Sequence, residues 1–563
     1  MSQLEFDTVI VGAGSAGCLL ANRLSAQRGH RVLLLEAGGR DDWFWIKIPV
    51  GYLFTIGNPR TDWCFKTVAD PGLAGRSIHY ARGRVLGGCS SINAMIYMRG
   101  QASDYDRWAE ATGDDRWRWN ADGGQTLDIY KSLENFFGGA NAWHGSSGEM
   151  RVETPRVKWR ILDAWQRAAA EQGIEPIAEF NRGDNAGSAY FHVTQMRGRR
   201  WSMADAFLHP VAQRQNLVVW THAQALGLGL EENREGRPTD RGAWAAASLR
   251  ARTVQVLKDG QRITVRARRQ IILAAGAIGT PQLLQASGIG PADLLSELQV
   301  PVQLDLPGVG ENLQDHLQIR TVYTVQGART VNSLYNNPIT RFGMAAQYFL
   351  SRTGPMTMPP STLGAFAKSS DKEASADLEW HVQPLSLPKF GEPLHGFDAI
   401  TPSVCNLRPS SRGSVRIQHP DPLTPPAIRC NYLSTEDDLR KAVKGLEMTR
   451  AIMASPALSG FSPQEYLPGA ERVAQADLEQ AARELGTTIF HPVGTCAMGK
   501  VHEDGTADQP GTVLDTSFRL RGVAGLRVVD ASAMPTITSG NTNAPVMLIA
   551  ERAARDILAQ NSV

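Results

Sequence analysis

The strongest constraint on the fold is an apolar run that ends in a glycine turn and is followed at once by a helical pattern. Residues 6–11 form a short apolar stretch of the length of a buried strand, and the stretch stops at Gly12. Residues 15–26 carry leucines at helical spacing, and residues 31–36 form a second apolar run. Together they predict a β-α-β unit, in which a helix connects two parallel strands of a covered sheet.

The turn of this unit has the pattern G-x-G-x-x-G. The first glycine permits the tight turn, the second lets a pyrophosphate approach the backbone, and the third allows close packing of strand and helix. Glu36 ends the second strand, where a carboxylate can accept hydrogen bonds from a ribose diol. These offsets favour a dinucleotide site of the Rossmann type, although a glycine turn can also be purely structural and the pattern does not separate NAD from FAD. The residues assigned to this site are Gly12, Gly14, Ser15, Ala16, Gly17, Glu36 and Ala37.

The composition excludes several other classes of protein. The chain has 563 residues, with 58 Lys and Arg against 56 Asp and Glu, so it lacks the basic excess that binding of nucleic acid requires. Its six cysteines show no CxxC spacing, so they indicate neither a thiolate metal site nor a disulfide framework. The first residues lack the basic region of a secretory signal. We therefore expect a cytoplasmic protein without a metal centre.

The longest uncharged stretch, residues 270–292, reaches the length of a membrane span. It contains several glycines and two prolines, which predict a strand, a turn and a helix instead. No transmembrane segment is expected, whereas peripheral contact with a membrane and a homo-oligomeric state are left open.

The order of the predicted elements indicates two domains that interrupt one another. Strand patterns recur at residues 270–273 and 526–529, and both suit the sheet that begins at residue 6. The sequence pattern of residues 311–483 differs from that of the flanking segments, with proline-rich loops and strand patterns at 378–382 and 414–418. We predict an α/β protein, α+β overall, with a discontinuous Rossmann-like FAD-binding domain and a substrate domain built on an antiparallel sheet. The FAD-binding domain is assigned residues 1–155, 195–310 and 484–563, and the substrate-binding domain residues 156–194 and 311–483.

Four further blocks carry a resemblance to a known family. Residues 83–93 (GRVLGGCSSIN) and 276–290 (GAIGTPQLLQASGIG) resemble the two signatures of the glucose–methanol–choline (GMC) family of flavin oxidoreductases. Residues 490–496 (FHPVGTC) and 541–545 (NTNAP) resemble the carboxy-terminal catalytic segments of the same family. The resemblance runs in order from about residue 5 to about residue 560.

This resemblance implies FAD as the cofactor. Beyond the dinucleotide residues above, it assigns flavin contacts to Arg84, Leu86, Gly87, Gly88, Asn93, Ala94, Met95, Asp530, Ala531, Asn541 and Thr542. Some relatives attach FAD covalently through a histidine at the position of Ile92, and an isoleucine cannot form that bond. We therefore expect a non-covalent flavin.

Alcohol oxidation needs a base for the hydroxyl proton beside the hydride acceptor. An imidazole accepts a proton near neutral pH, and the resemblance identifies His491 as that base. Asn541 stands where relatives carry the second catalytic group, and its amide can donate a hydrogen bond to the substrate oxygen, although asparagine also caps helices. An apolar helical pattern follows Pro545, and the family arrangement would point the start of that helix at the flavin.

The identity of the alcohol is less constrained. Relatives that oxidise choline carry a glutamate in the loop where this chain has Thr362, which disfavours a quaternary ammonium substrate. Met358, Thr362 and Trp380 are candidate lining residues of an apolar pocket for a primary alcohol, although such residues are as often core.

The leading hypothesis is an FAD-dependent alcohol dehydrogenase that oxidises a primary alcohol to an aldehyde and passes electrons to a quinone or another acceptor. One alternative is an alcohol oxidase that transfers the electrons to dioxygen and produces hydrogen peroxide. A non-catalytic flavin-binding scaffold and an NAD-dependent dehydrogenase are further alternatives.

Overall fold

The computed structural model describes residues 4–120, 123–234, 242–389, 392–502 and 504–561. The strands are β1 (Leu4–Val11), β2 (Val32–Leu35), β3 (Phe65–Lys66), β4 (His79–Tyr80), β5 (Glu134–Phe136), β6 (Met150–Val152), β7 (Gly187–Tyr190), β8 (Gln195–Met196), β9 (Arg199–Arg200), β10 (Leu217–Trp220), β11 (Ala223–Glu232), β12 (Leu249–Lys258), β13 (Gln261–Leu273), β14 (Ile289–Gly290), β15 (Leu304–Asp305), β16 (Leu317–Arg320), β17 (Val322–Thr324), β18 (Leu363–Ala367), β19 (Leu378–Gln383), β20 (Ala399–Asn406), β21 (Ser414–Arg416), β22 (Ala427–Arg429), β23 (Gln464–Leu467), β24 (Gly486–Thr488), β25 (Val523–Ala524) and β26 (Leu526–Val528).

The helices are α1 (Ser15–Leu24), α2 (Phe44–Lys47), α3 (Tyr52–Thr55), α4 (Ala102–Thr112), α5 (Thr126–Leu133), α6 (Arg160–Glu171), α7 (Gly276–Ala286), α8 (Ala292–Glu297), α9 (Val331–Asn336), α10 (Pro338–Ser351), α11 (Glu436–Met453), α12 (Gln475–Leu485) and α13 (Asn543–Asn561). Short helical turns connect several of them.

The first large sheet contains the predicted β-α-β unit. β1 lies between β2 and β13, and both neighbours are parallel to it. β26 is parallel to β13, so a strand from the carboxy-terminal part of the chain completes the sheet that the amino-terminal part begins. The residues of β2 are entirely buried, as expected for a parallel strand covered on both faces. The prediction of a discontinuous Rossmann-like sheet is confirmed.

The second large sheet is antiparallel and has the order β23-β17-β20-β19-β18-β7, with β16 joining β20 to β24. α6 and α11 pack on it and enclose a core that includes Trp165 and Trp380. The predicted strand at 378–382 is found here as β19. The predicted strand at 414–418 forms part of the separate pair β21–β22 instead. We placed residue 484 onward in the FAD-binding domain, whereas β24 pairs within this second sheet.

The long uncharged stretch forms the end of β13, a turn and the helix α7, as its glycines and prolines predicted, and then the short strand β14 and the first residue of α8. Among the described residues, no helix combines the length and the apolar character needed to cross a bilayer.

Candidate active site

In the glycine loop between β1 and α1, two of the three glycines lie too close to neighbouring backbone to carry a side chain. Gly12 has a φ of +104°, and a Cβ there would lie 2.5 Å from the carbonyl oxygen of Ala274 at the end of β13. A Cβ on Gly17 would lie 1.9 Å from the carbonyl oxygen of Gly12. A Cβ on Gly14 would meet only the carbonyl oxygen of Ala274, at 3.9 Å, so there is free space beside the backbone of this part of the loop. Two of the glycines therefore shape the loop and the third leaves space for a ligand.

Glu36, which follows β2, holds this loop in place. Its two carboxylate oxygens accept hydrogen bonds from the backbone N–H groups of Ala13, at 3.1 Å, and Gly38, at 2.8 Å. Burial raises the pKa of the Glu36 carboxyl to about 7. Each carboxylate oxygen can accept more than one hydrogen bond, so Glu36 can also accept from a ribose hydroxyl.

The glycine pair of the second block packs on the same loop. The N–H of Gly87 donates to the carbonyl oxygen of Ala13 at 2.8 Å. Gly88 has a φ of +54°, and a Cβ on it would lie 2.7 Å from the Cα of Gly14. The two glycine motifs are distant in sequence but are in backbone contact, which explains why both lack side chains.

Two helices begin beside this loop. α1 begins at Ser15 and α13 at Asn543, and the Ser15 hydroxyl donates to Asn543 Oδ1 at 2.7 Å. Helix N-termini present unpaired N–H groups and partial positive charge, a combination that binds phosphate. The loop, Glu36 and these two N-termini therefore fit the diphosphate and ribose of a dinucleotide.

One cavity of about 310 Å³ runs from the glycine loop to His491. The predicted residues that line it are Gly12, Gly14, Ser15, Ala16, Glu36, Ala37, Gly88, Asn93, Ala94, Met95, His491, Asp530, Ala531, Asn541 and Thr542. The predicted cofactor-binding residues that do not line it are Gly17, Arg84, Leu86 and Gly87. Gly17 and Gly87 act instead through the backbone packing described above, and the Arg84 guanidinium lies over the ring of Trp63.

Asp530 connects the end of β26 to the start of α7. One carboxylate oxygen accepts from the N–H of Gly276, at 2.9 Å, and from the hydroxyl of Thr280, at 2.6 Å. The other accepts from the N–H and hydroxyl of Ser532. Burial raises the pKa of this carboxyl. The hydrogen bonds fix this wall of the cavity.

The catalytic candidates meet at the far end of the cavity. Asn541 Nδ2 lies 3.1 Å from His491 Nε2, and His491 Nδ1 lies 3.0 Å from His316 Nδ1. His316 Nε2 lies 3.0 Å from the carbonyl oxygen of Leu407. The sequence analysis predicted His491 and Asn541 but not His316. His316 contacts His491 on the side opposite to Asn541 Nδ2, through the other ring nitrogen.

These partners assign the protons on both rings. A carbonyl oxygen only accepts, so His316 carries its proton on Nε2 and, when neutral, has a lone pair on Nδ1. His491 must then donate from Nδ1, which leaves the lone pair on its Nε2. The Asn541 amide donates to that lone pair, and both His491 and Asn541 line the cavity. The arrangement presents His491 as a base.

Asp315 anchors both histidines through their backbone. One of its carboxylate oxygens accepts from the N–H groups of His316, at 2.9 Å, and His491, at 2.8 Å. The other accepts from the Thr488 hydroxyl, at 2.6 Å, and from the hydroxyls of Tyr80 and Tyr432. Because this carboxylate is buried and multiply hydrogen-bonded, it holds the segment before Pro492 in a single position.

Burial keeps both rings neutral. It lowers the pKa of His491 well below the ordinary value of a histidine, and the electrostatic interactions of a protonated His491 with His316, His381 and Arg82 lower it further. Burial also lowers the pKa of His316. The base is therefore unprotonated at neutral pH.

The remaining wall comes from the second sheet and is polar. Gln318 of β16, His381 and Gln383 of β19, and Ser361 before β18 are buried and line the cavity. Gln383 Nε2 donates to the Ser361 hydroxyl at 3.1 Å. Apolar side chains of the amino-terminal segment, such as Ile56, also line the cavity. The sequence prediction identified none of these residues.

The three predicted lining residues are in the protein core instead. Met358 and Thr362 are fully buried and do not line the cavity. Trp380 is also buried, and its indole N–H donates to the Thr449 hydroxyl at 2.8 Å. For Thr362 and Trp380 the reason is alternation, because residues next to one another in an extended segment point to opposite faces, and their neighbours Ser361 and His381 line the cavity.

A signal for the missed residues exists in β19. Its sequence, LEWHVQ, alternates apolar and polar residues, a pattern typical of a strand with one face in solvent. Every residue of the strand is buried, so its polar face must meet other polar groups or a ligand. That inference needs the burial, which the sequence does not provide.

Comparisons with known proteins agree with this architecture. The amino-terminal and carboxy-terminal models of the GMC oxidoreductase family match residues 6–318 and 409–550. An alcohol dehydrogenase [acceptor] of Pseudomonas putida is 37% identical over 557 residues, which cover 98% of this chain and 96% of that protein.

Two further similarities span the whole chain. The mitochondrial choline dehydrogenase of Mus musculus is 35% identical over 560 residues, covering 98% of this chain and 89% of that protein. The crystal structure of pyridoxine 4-oxidase from Mesorbium loti superimposes with a TM-score of 0.85 at 32% identity, covering 98% of this chain and 99% of that one. The chain therefore belongs to the GMC oxidoreductase family.

Proposed function

We propose that this protein oxidises a primary alcohol to an aldehyde with FAD and passes the electrons to a quinone or another acceptor. The observation that carries the proposal is the contact between His491 Nε2 and the Asn541 amide, two residues that line the same cavity as the glycine loop. The similarity to an alcohol dehydrogenase [acceptor] supports the same reaction class.

Membership of the family implies FAD, and the glycine loop, Glu36 and the two helix N-termini would hold its dinucleotide half. When bound, FAD supplies a hydride acceptor at N5 of its ring. Ile92 lines the cavity where some relatives carry the attaching histidine, and its aliphatic side chain has no group for a covalent bond to the ring. A non-covalent flavin is part of the proposal.

The residues of this chain handle the proton. The substrate hydroxyl would take the place of the Asn541 amide at His491 Nε2, and its proton would pass to that nitrogen. The Asn541 amide would then donate to the substrate oxygen as negative charge develops there. His316 accepts from His491 Nδ1 and so keeps the lone pair of His491 on Nε2, and both rings are buried.

The charges of the cavity favour a neutral alcohol over choline. Among the described residues that line it, the only carboxylates are Glu36 and Asp530, and both lie at the end that would hold the dinucleotide. Glu379 is buried behind His381 and does not line the cavity. A quaternary ammonium would find no negative charge at the substrate end, whereas Gln318, Ser361 and Gln383 can pair with hydroxyl groups.

Anaerobic mixing of the purified protein with a panel of alcohols tests this function. Bleaching of the flavin absorbance by primary alcohols is the expected result, and reoxidation by a quinone faster than by air would identify the acceptor. His491→Ala should retain flavin but reduce its rate of bleaching by roughly 10²–10⁴-fold, the usual contribution of a positioned base.

His419→Ala, at an exposed histidine, is the matched control and should bleach at the wild-type rate. A protein that purifies without flavin, or a His491→Ala variant within a few-fold of wild type, would refute the proposal. Bleaching by choline in preference to every neutral alcohol would refute the substrate class alone.

A further inference from the structure

Helix α10 exposes large apolar side chains. Phe342 is 76% exposed and Leu350 is 88% exposed, and Ile339 and Phe349 are more than half exposed. A helix at the surface of a protein normally turns its polar face to water. An exposed apolar stripe of this kind usually marks a surface that contacts a partner or a membrane.

The exposed residues share one face of the helix. Positions 339, 342, 346, 349 and 350 follow helical spacing, so their side chains form a continuous stripe. The opposite face carries Met344 and Tyr348, four residues apart, which are the buried residues of α10. Tyr335 of the preceding α9 is also exposed and extends the apolar surface.

The surroundings of this stripe are positively charged. From His316 to Ser370 the chain contains no aspartate or glutamate, whereas Arg329 and Arg341 are exposed. The turn between β8 and β9 packs on the end of α10, because a Cβ on Gly198 would lie 2.4 Å from the carbonyl oxygen of Arg352. That turn adds the exposed Arg197 and Arg199 to Arg352, so arginines lie at the end of the helix as well as along it.

Two acidic side chains on neighbouring elements, Glu153 and Asp398, are engaged in hydrogen bonds. Glu153 accepts from Arg151 Nε at 3.0 Å and from the backbone N–H of Arg197 at 3.1 Å. Asp398 accepts from the backbone N–H and the hydroxyl of Thr330. The charged groups of the segment that carries the stripe are therefore positive, and its complement is an apolar surface that carries negative charge.

We propose that α10 docks on a lipid bilayer that contains anionic lipids, with its axis along the membrane surface. The apolar stripe would enter the boundary between headgroups and acyl chains, and the arginines would contact lipid phosphates. With 14 residues the helix is about 21 Å long at 1.5 Å per residue, shorter than the roughly 30 Å of a hydrocarbon core, so it lies along the membrane and does not cross it.

A second copy of the chain fits this surface less well. A two-fold contact brings the same patch of each copy together, which would place Arg341 and Arg352 against a surface with the same positive charge. The segment from His316 to Ser370 offers no carboxylate to pair with them. Lipid phosphates supply that negative charge.

The docking surface lies close to the cavity. α10 contacts the turn Pro355–Thr357, which in turn contacts the turn Pro49–Gly51 that leads into α3. Tyr52 of α3 and Pro360 line the cavity. Docking would therefore bring this end of the cavity to the membrane.

Flotation of the holoenzyme with vesicles tests the proposal. We expect it to float with vesicles of equimolar phosphatidylcholine and phosphatidylglycerol, and much less with phosphatidylcholine alone. The double variant Phe342→Ser/Leu350→Ser should bind the mixed vesicles at least roughly tenfold more weakly, because two large apolar side chains no longer enter the bilayer. Arg341→Gln and Arg199→Gln should each weaken binding about fivefold, and only on vesicles with phosphatidylglycerol.

Val473→Ser is the matched control, since Val473 is 73% exposed but follows β23, away from α10 in the chain. It should float like the wild type, and equal Tm values would show that all variants are folded. Wild-type holoenzyme that stays unbound with both vesicles, or a Phe342→Ser/Leu350→Ser variant that binds like wild type, would overturn the proposal. So would a holoenzyme dimer that does not float and that the same double variant converts to monomer, since the stripe would then be a contact between copies.

Discussion

The two ends of the cavity are built in different ways. At the dinucleotide end, contacts between backbone segments set the shape, and Gly12, Gly17 and Gly88 have no space for a side chain. At the substrate end, side chains set the shape, and Gln318 and Gln383 come from strands that are distant in sequence. One end depends on the absence of side chains and the other on their identity.

This difference decides how much each end can vary. A backbone contact of less than 3 Å accepts only glycine, whatever substrate the enzyme uses. The buried polar face of β19 keeps the fold as long as its groups find partners, so Gln383 can change with the substrate. The dinucleotide end is therefore rigid in sequence, and the substrate end is where specificity can change.

Gly88→Ala is the largest test of this contrast. The new Cβ would lie 2.7 Å from the Cα of Gly14, at a φ of +54°. Overpacking and the left-handed conformation together cost about 2–5 kcal/mol, so we expect the Kd for FAD to rise from roughly thirtyfold to several thousandfold. The ratio of flavin to protein absorbance after dialysis measures the loss.

Gly511→Ala is the control, because a Cβ there meets no atom within 4 Å. It should keep its full flavin content. If Gly88→Ala kept the wild-type flavin content as well, the close packing of the two glycine motifs would not matter for the cofactor.

His316→Leu tests the histidine pair at the other end. Without an acceptor at His491 Nδ1, the proton of the His491 ring is free to move to Nε2, the nitrogen that must accept. We expect kcat to fall roughly 10–100-fold with little change in KM, the usual effect of removing a group that orients a reacting side chain. His316→Gln, whose amide oxygen can accept from His491 and whose amide N–H can donate to Leu407, should recover part of the rate.

The pH profile adds a readout that a loss of packing would not change. Burial lowers the pKa of His491, so the base stays unprotonated as the pH falls through the ordinary histidine value of about 6.5. The kcat/KM of the wild type should therefore decline only below that pH. A decline centred at or above it would contradict the lowered pKa of His491, and a His316→Gln variant no better than His316→Leu would contradict the assigned protons.

The sequence alone allowed prediction of the fold around the dinucleotide. The β-α-β unit, the distant strand at 526–528 and the glycines all follow from local patterns, because the contacts that need them are made by the backbone. His491 and Asn541 were predicted from the family resemblance, and the structure places their side chains 3.1 Å apart. His316 lies in an ordinary-looking segment, and its role depends on a contact with a residue far along the chain.

The substrate end could not be predicted in the same way. Thr362 and Trp380 each lie next to a residue that does line the cavity, Ser361 and His381. In an extended chain a shift of one residue reverses the face, so an alignment that is correct to one position still selects the wrong side chains. The sequence shows that β19 alternates, but only the packing shows which of its two faces meets the cavity.

Substitutions on the two faces of β19 are expected to have the smallest effects, and they test which face of the strand meets the cavity. Gln383→Leu removes an amide that can pair with a second hydroxyl of a substrate, so kcat/KM for plain aliphatic alcohols should rise roughly tenfold relative to that for diols. Trp380→Phe changes the opposite face and removes the hydrogen bond to Thr449. It should leave that ratio unchanged and lower the free energy of unfolding by about 1–2 kcal/mol, measured by denaturant titration. If Trp380→Phe changed the substrate ratio and Gln383→Leu did not, the faces would be assigned the wrong way round, because only one face of a strand can meet the cavity.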